Sequence, residues 1–348
     1  MQPFLLYLLF VSARFLVPVL AAFIALGCST ELEVDAPYQE RKVIYSILDP
    51  TLNYQIIRVS KGFLTDGRSA LEVARMPDSL LYDTSIVRVE LVEKIPNRPV
   101  RTFLCRDTLI KNKEAGIFYY PDQLSYVVSG IRLDTSQYGR TRYTVRVTNR
   151  LSGLVAEGET DLPSNITRIE SPIADISNQP PTIFFPSKGE AKIRITRPSN
   201  VEMLQMRMVW NIAVLRTGGD TIRESWVMES PGTFEGVGNQ PSIEGRIGPG
   251  TLYDFLAREV RNRGNDGVVG RKFEAGRLEV FFANSEYYRY KTVNNNYNVI
   301  TQSLPIYTNV RNGLGVVCSR NFRSFPILLD RVNQDSAAVR VPEFKRIR

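Results

Sequence analysis

The chain has 348 residues and no histidine, with 44 Lys and Arg against 36 Asp and Glu for a formal charge of +8. Without imidazole it holds no Ser-His-Asp triad, no Cys-His pair and no His-containing zinc site. A mean hydropathy of -0.16 excludes a polytopic helical membrane protein, and 43% apolar with 23% charged residues suffices for a globular core.

Residues 4–27 are almost wholly apolar, with Arg14 as the one charge. A run of this length can span a bilayer. Arg14 followed by the apolar Phe15–Ala25 also has the order of a signal peptide, and Pro18 inside the run suits a signal better than a stable helix. The stretch Ala25-Leu26-Gly27-Cys28 resembles a bacterial lipobox. That resemblance implies that residues 1–27 are a lipoprotein signal peptide and that Cys28 carries diacylglycerol as the mature N-terminus. Each buried methylene adds about 0.8 kcal/mol to such an anchor. Residues 28–40 then read as a polar tether with Glu31, Glu33 and Asp35. Acids just after a lipidated cysteine resemble the surface-export signal of Bacteroidota lipoproteins. The other cysteines are Cys105 and Cys318. Export permits a disulfide between them; two buried thiols is the other reading.

From 41 to 163 the pattern is strands and turns. "RKVIYSIL" and "YQIIRVSKGFL" flank "DPTLN", where Asp49-Pro50 and Asn53 supply turn chemistry. In "IVRVELVE", Val87, Val89 and Leu91 alternate with Arg88 and Glu90; Tyr143, Val145 and Val147 repeat the pattern in "RTRYTVRVTN". "LVAEGETDLP" closes the unit at Pro163. Short strands at this spacing predict an immunoglobulin-like β-sandwich.

Residues 164–182 are rich in Pro and Asn and read as a linker. A second β-rich domain is expected over 183–340. "AKIRITRP" alternates, and Met206, Met208, Trp210, Ile212 and Val214 fall at period two on a core strand. Gly218-Gly219 then turns into a hairpin partner. "TLYDFLAREVRN" predicts one amphipathic helix with Leu252, Phe255, Leu256 and Val260 on one face, Thr251 as N-cap and Gly264 as terminator. The last residues, 341–348, carry Lys345, Arg346 and Arg348. They read as a solvated basic tail, or as a contact with acidic lipid or an acidic partner.

Catalytic patterns are missing. "GRIGPG" before the helix lacks nucleotide-binding spacing. G-x-S-x-G, S-x-x-K and the EF-hand loop are absent, and "NRGNDG" reads as a turn. Carboxylates are plentiful but nothing singles out a glycosidase pair. No cofactor, metal or nucleic-acid partner is expected. The most ligand-like segment is "SEYYRYK", where Tyr287, Tyr288 and Tyr290 offer flat faces with polar tips. A buried strand-to-helix segment is the competing reading.

"LPIYTNVRNGLGVVCSRNFR" resembles the closing motif of a Bacteroidota outer-membrane lipoprotein family of unknown function. Thr308, Asn309, Val310, Asn312, Gly313, Gly315 and Val316 match it, and Val317 stands where the family has an aromatic residue. "YQIIRVSKGFL", "SEYYRYKTVNNNYN" and the order of lipobox, immunoglobulin-like unit and second β-rich unit fit the same family. On their own residues, Asn312-Gly313 is a turn signal and Gly315 allows close backbone approach. The resemblance implies a lipid-anchored, outer-membrane and surface-exposed protein. It also implies a non-enzymatic accessory role beside TonB-dependent transporters or other β-barrel complexes. A surface adhesin or carbohydrate-binding lipoprotein is the alternative, and a carboxylate enzyme a third.

Overall fold

The computed structural model describes residues 41–345 except 63–67, 112, 117, 138, 167, 173–179, 239 and 296–306. Cys28, the segment 1–27, the tether 28–40, Arg346 and Arg348 lie outside the described residues. The first eight strands are β1 (Lys42–Leu48), β2 (Tyr54–Lys61), β3 (Val87–Lys94), β4 (Arg101–Leu104), β5 (Arg106–Ile110), β6 (Gln123–Ser129), β7 (Arg142–Asn149) and β8 (Val155–Asp161). Two short helices, α1 (Ala70–Val73) and α2 (Pro77–Leu80), fall between β2 and β3. The strands run β1-β2-β6-β5 in one sheet and β8-β7-β3-β4 in the other, which is the strand order of an immunoglobulin-like sandwich.

The alternation read from the sequence fills the space between the sheets. Ile44, Ile57 and Val59 meet Val89, Leu91, Val145 and Val147 in one buried cluster. Tyr143, at the start of β7, is fully buried. Its hydroxyl accepts from the Asp134 backbone N–H at 2.6 Å and donates to Glu93 Oε1 at 2.8 Å. A buried tyrosine bonded to upstream backbone at this strand is the tyrosine corner of such sandwiches.

Beyond the sandwich lie β9 (Ile169–Ser171), β10 (Thr182–Ile183), β11 (Ala191–Thr196), β12 (Met203–Arg216), β13 (Thr221–Glu235), β14 (Ser242–Ile247) and α3 (Thr251–Arg263). They are followed by β15 (Val268–Ala283), α4 (Ser285–Asn295), β16 (Val310–Arg311), β17 (Gly313–Leu329) and α5 (Arg331–Arg340). A second hydrophobic cluster joins Met206, Met208, Trp210, Ile212 and Val214 of β12 to Leu252, Phe255, Leu256 and Val260 of α3.

β17 belongs to both parts. Its first half, Gly313 to Ser319, runs parallel to β1, and Arg320 to Ile327 pair antiparallel with β15. The result is a sheet ordered β13-β12-β15-β17-β1-β2-β6-β5. The two clusters divide near 164–182, while the sheet continues from one to the other.

Three local details differ from the sequence expectation. Gly250, at φ 85°, occupies the cap position of α3, and Thr251 lies inside the first turn with its hydroxyl donating to the Gly248 carbonyl at 2.9 Å. The left-handed residue ends the Gly-Pro-Gly turn one position earlier than a threonine cap needs. Among the described residues α1, α2, α4 and α5 add four helices to the one expected; Asp330 caps α5 by accepting from the Val332 N–H at 2.8 Å. Finally, residues up to Lys345 are not a loose basic tail. Phe344 is buried, stacked on Phe273 at 5.0 Å and edge-on to Trp226 at 5.8 Å. One aromatic anchor outweighs the neighbouring charges.

Candidate functional site

The closing motif builds a junction. Asn312 takes a left-handed φ of 53° and turns the chain from β16, which pairs with β8, into β17, which pairs with β1. A Cβ on Gly313 would lie 2.6 Å from the Lys42 carbonyl oxygen, and one on Gly315 would lie 2.0 Å from that of Ile44. Gly315 also has φ 105°. Asn309 ties β8 to β17, donating to Glu159 O and Val317 O and accepting from the Val317 N–H at 2.9 Å. These residues shape backbone.

Asn284 sets the start of α4. Its Nδ2 donates to Thr160 Oγ1 at 2.7 Å, and its Oδ1 accepts from the Tyr287 and Ser319 N–H groups at 3.3 Å. That cap fastens α4 to both β8 and β17. Tyr287, Tyr288 and Tyr290 all lie on α4 and are half-buried. They do not form one surface. A Cβ on Gly236, in the turn after β13, would sit 3.5 Å from the Tyr288 hydroxyl. Tyr290 instead meets Tyr45 of β1, ring centroids 6.0 Å apart at 65°.

Of the three, Tyr290 lines a cavity of about 450 Å3, within the roughly 300–1,000 Å3 of small-ligand sites. β1 contributes Tyr45, β2 contributes Arg58 and Lys61, the segment before β6 contributes Lys113 and Asp122, and β6 opens with Gln123. The alternation of β2 turns Gln55, Ile57 and Val59 inward and leaves Arg58 on the outer face, paired in register with Tyr45. Lys113 is held at both ends: its N–H donates to Pro121 O and its Nζ to Tyr119 O, each at 2.8 Å. Burial first, and the Arg58 charge second, hold its ammonium below the ordinary lysine value. Lys61 donates to the Asp78 carbonyl at 3.1 Å and covers the Tyr82 ring at 5.5 Å. Burial pushes the Tyr290 hydroxyl above the usual tyrosine value. The walls combine aliphatic, aromatic and cationic side chains, with Asp122 as the acid among the described lining residues.

The cavity opens beside an apolar stripe. Tyr45 and Ile47 of β1 and Tyr54 and Ile56 of β2 are between 36% and 43% exposed on the outer face of the sandwich. Behind α4 sits a different cluster. Burial holds the carboxyls of Asp161 and Glu286 above the usual carboxylate range, and the charge of Asp161 raises Glu286 further. Cys318 is a free, buried thiol pushed up to about 12 by burial and then by Glu286. Cys105, also free and buried, is likewise pushed to about 12, first by burial. Among the described residues no group of three or more acidic or cysteine side chains is placed to hold a metal.

Sequence reasoning missed Arg58 and Lys113. The alternation of "YQIIRVSK" carried a signal for Arg58, since it shares a face with Tyr54 and Ile56. Lys113 had none, because its place depends on a loop closing on itself.

No family model matches the chain, and no curated protein matches it. Among solved structures, the C-terminal globular domain of oligosaccharyltransferase from Pyrococcus abyssi is similar at a TM-score of 0.23 and 10% identity, over 69% of this chain and 47% of that one. The chain thus spans about half the length of that structure.

Proposed function

We propose that this chain is a non-enzymatic, lipid-anchored subunit of an outer-membrane β-barrel transport or assembly complex, held at the membrane through Cys28. The observation that carries the reading is the stripe of Tyr45, Ile47, Tyr54 and Ile56, four large apolar side chains left exposed on one sheet face. A contiguous apolar patch of this kind marks an interaction surface. Arg58 and Lys61 at its cavity end give it a basic rim, suited to a protein partner with an acidic border. The lipobox resemblance and the absence of histidine support the anchored, non-catalytic part. The test is recovery from detergent-extracted outer membranes. The native chain brings down a β-barrel protein, and Ile47→Glu with Ile56→Glu loses it while staying membrane-bound. Recovery of the native chain as a free monomer overturns the reading.

A second reading, a carbohydrate-binding surface lipoprotein or adhesin, is favoured by Tyr45 and Tyr290 on the cavity wall. On a glycan array, Tyr290→Ala then loses binding that Tyr287→Ala and Tyr288→Ala keep. Absence of glycan binding by the native chain removes this reading.

A further inference from the structure

Arg58 is half-buried and makes no ion pair among the described residues. Elsewhere on the sheets half-buried arginines have carboxylates: Arg207 with Glu279 at 2.8 Å and Arg146 with Glu157 at 2.6 Å. Arg58 instead shares the cavity lining with a second cation, Lys113, whose ammonium is held down first by burial and then by the Arg58 charge. Two cations lining one cavity, neither of them ion-paired among the described residues, cost free energy that an incoming anion offsets. A guanidinium beside an ammonium in a partly desolvated wall makes short, charge-assisted hydrogen bonds to a carboxylate.

The rest of the wall selects the shape of that anion. Tyr45 and Tyr290 present ring surface to the same cavity, and Asp122 and Gln123 add hydroxyl-binding groups. About 450 Å3 is room for one or two sugar rings and too little for a folded peptide. A simple inorganic anion would leave the aromatic surface unused.

We propose that this cavity binds a ring-bearing organic acid of the sugar-acid class. The carboxylate lies against Arg58 and Lys113, the ring against Tyr290 and Tyr45, and the ring hydroxyls against Asp122 and Gln123. The proposal rests on the second reading above, capture of carbohydrate, and assigns its ligand class; the protein-partner reading stands or falls separately through Ile47 and Ile56.

Titration calorimetry of the full chain in detergent, with galacturonate and its oligomers against galactose, tests it. The acid binds saturably and at least about tenfold more tightly than the neutral sugar, as expected for a hydrogen-bonded charge pair. Arg58→Gln and Lys113→Met each remove that preference, while Arg106→Gln, on exposed β5, keeps it. Matching thermal unfolding shows that the variants fold. Equal affinity for acid and neutral sugar, tighter binding of a glutamate-rich peptide than of the sugar acid, or no saturable binding by the native chain overturns the proposal. Neutral-sugar binding without acid preference would retain the carbohydrate reading and reject the ligand class.

Discussion

Tyr290 of α4 and Tyr45 of β1 meet edge to face, ring centroids 6.0 Å apart. The contact joins an element that follows β15 to the first strand of the sandwich, and both rings line the same cavity. Such a pair contributes about 0.5–1.5 kcal/mol beyond the area it buries. Tyr290→Ala should therefore lower stability by about that amount, or somewhat more, in urea unfolding. Tyr290→Phe should keep most of it. An alanine variant as stable as the native chain would show that the contact does not hold α4 to the sheet.

Gly315 is the tightest point of the closing motif, with a left-handed φ of 105° and a hypothetical Cβ 2.0 Å from the Ile44 carbonyl oxygen. Gly315→Ala should cost at least about 3 kcal/mol, since backbone strain of about 1–3 kcal/mol adds to a collision that parts β17 from β1. Gly116, with open space around it, should accept alanine with little change. Equal midpoints for the two variants in denaturant would contradict this account of the motif.

The Tyr143 hydroxyl satisfies two groups at once, the Asp134 N–H and the carboxylate of Glu93, itself almost fully buried and paired with Arg101. Tyr143→Phe keeps the ring, strands the Asp134 N–H and leaves Glu93 with Arg101 as its remaining partner. The expected loss is about 1–3 kcal/mol, the penalty of an unsatisfied buried polar group. Chemical denaturation of the variant measures it, and no loss would mean that water replaces the hydroxyl.

Asp161 and Glu286 give the fold a pH signature. Their folded-state values lie above the ordinary carboxylate range, chiefly through burial. Over the interval between the ordinary and the raised values, the folded chain holds protons that the unfolded chain has released. Their contribution to stability therefore falls as pH rises through that interval. Glu286→Gln should gain stability relative to the native chain as pH climbs from below the carboxylate range to neutrality. Glu157, held low mainly by its hydrogen bond with Arg146, acts in the opposite sense, so Glu157→Gln should lose relative stability over the same climb. Urea midpoints against pH for the two variants check both signs; a parallel response would refute the assignment.

Cys105 and Cys318 are unpaired and buried, with thiols pushed up to about 12. The native chain should resist a thiol reagent at mildly alkaline pH, where such thiols stay protonated. Both cysteines should react after unfolding. Rapid labelling of either in the native state would contradict their placement.

The cores were legible because their signal is local. Period-two alternation at Tyr143, Val145 and Val147, and at Met206 to Val214, states directly which side chains face inward. The helix at Leu252 to Val260 was legible for the same reason. What the sequence left out is held by contacts between distant positions. Nothing near Val310 announces that β17 runs from beside β1 to beside β15. Nothing near Lys113 announces Arg58, more than fifty positions earlier. The tyrosines of α4 looked equivalent as letters, but helical geometry sends Tyr288 towards Gly236 and Tyr290 towards Tyr45. Phe344 was hidden by the charges beside it.

If Arg58 anchors the anion in this cavity, a bound sugar acid shields its guanidinium from chemical modification. Arginine-specific modification of the full chain in detergent, followed residue by residue by mass spectrometry, tests it most directly. Galacturonate should slow modification of Arg58 in proportion to occupancy and leave exposed Arg106 unaffected. Galactose should protect neither. Unchanged modification of Arg58 at saturating galacturonate, or equal protection of Arg106, would contradict the account.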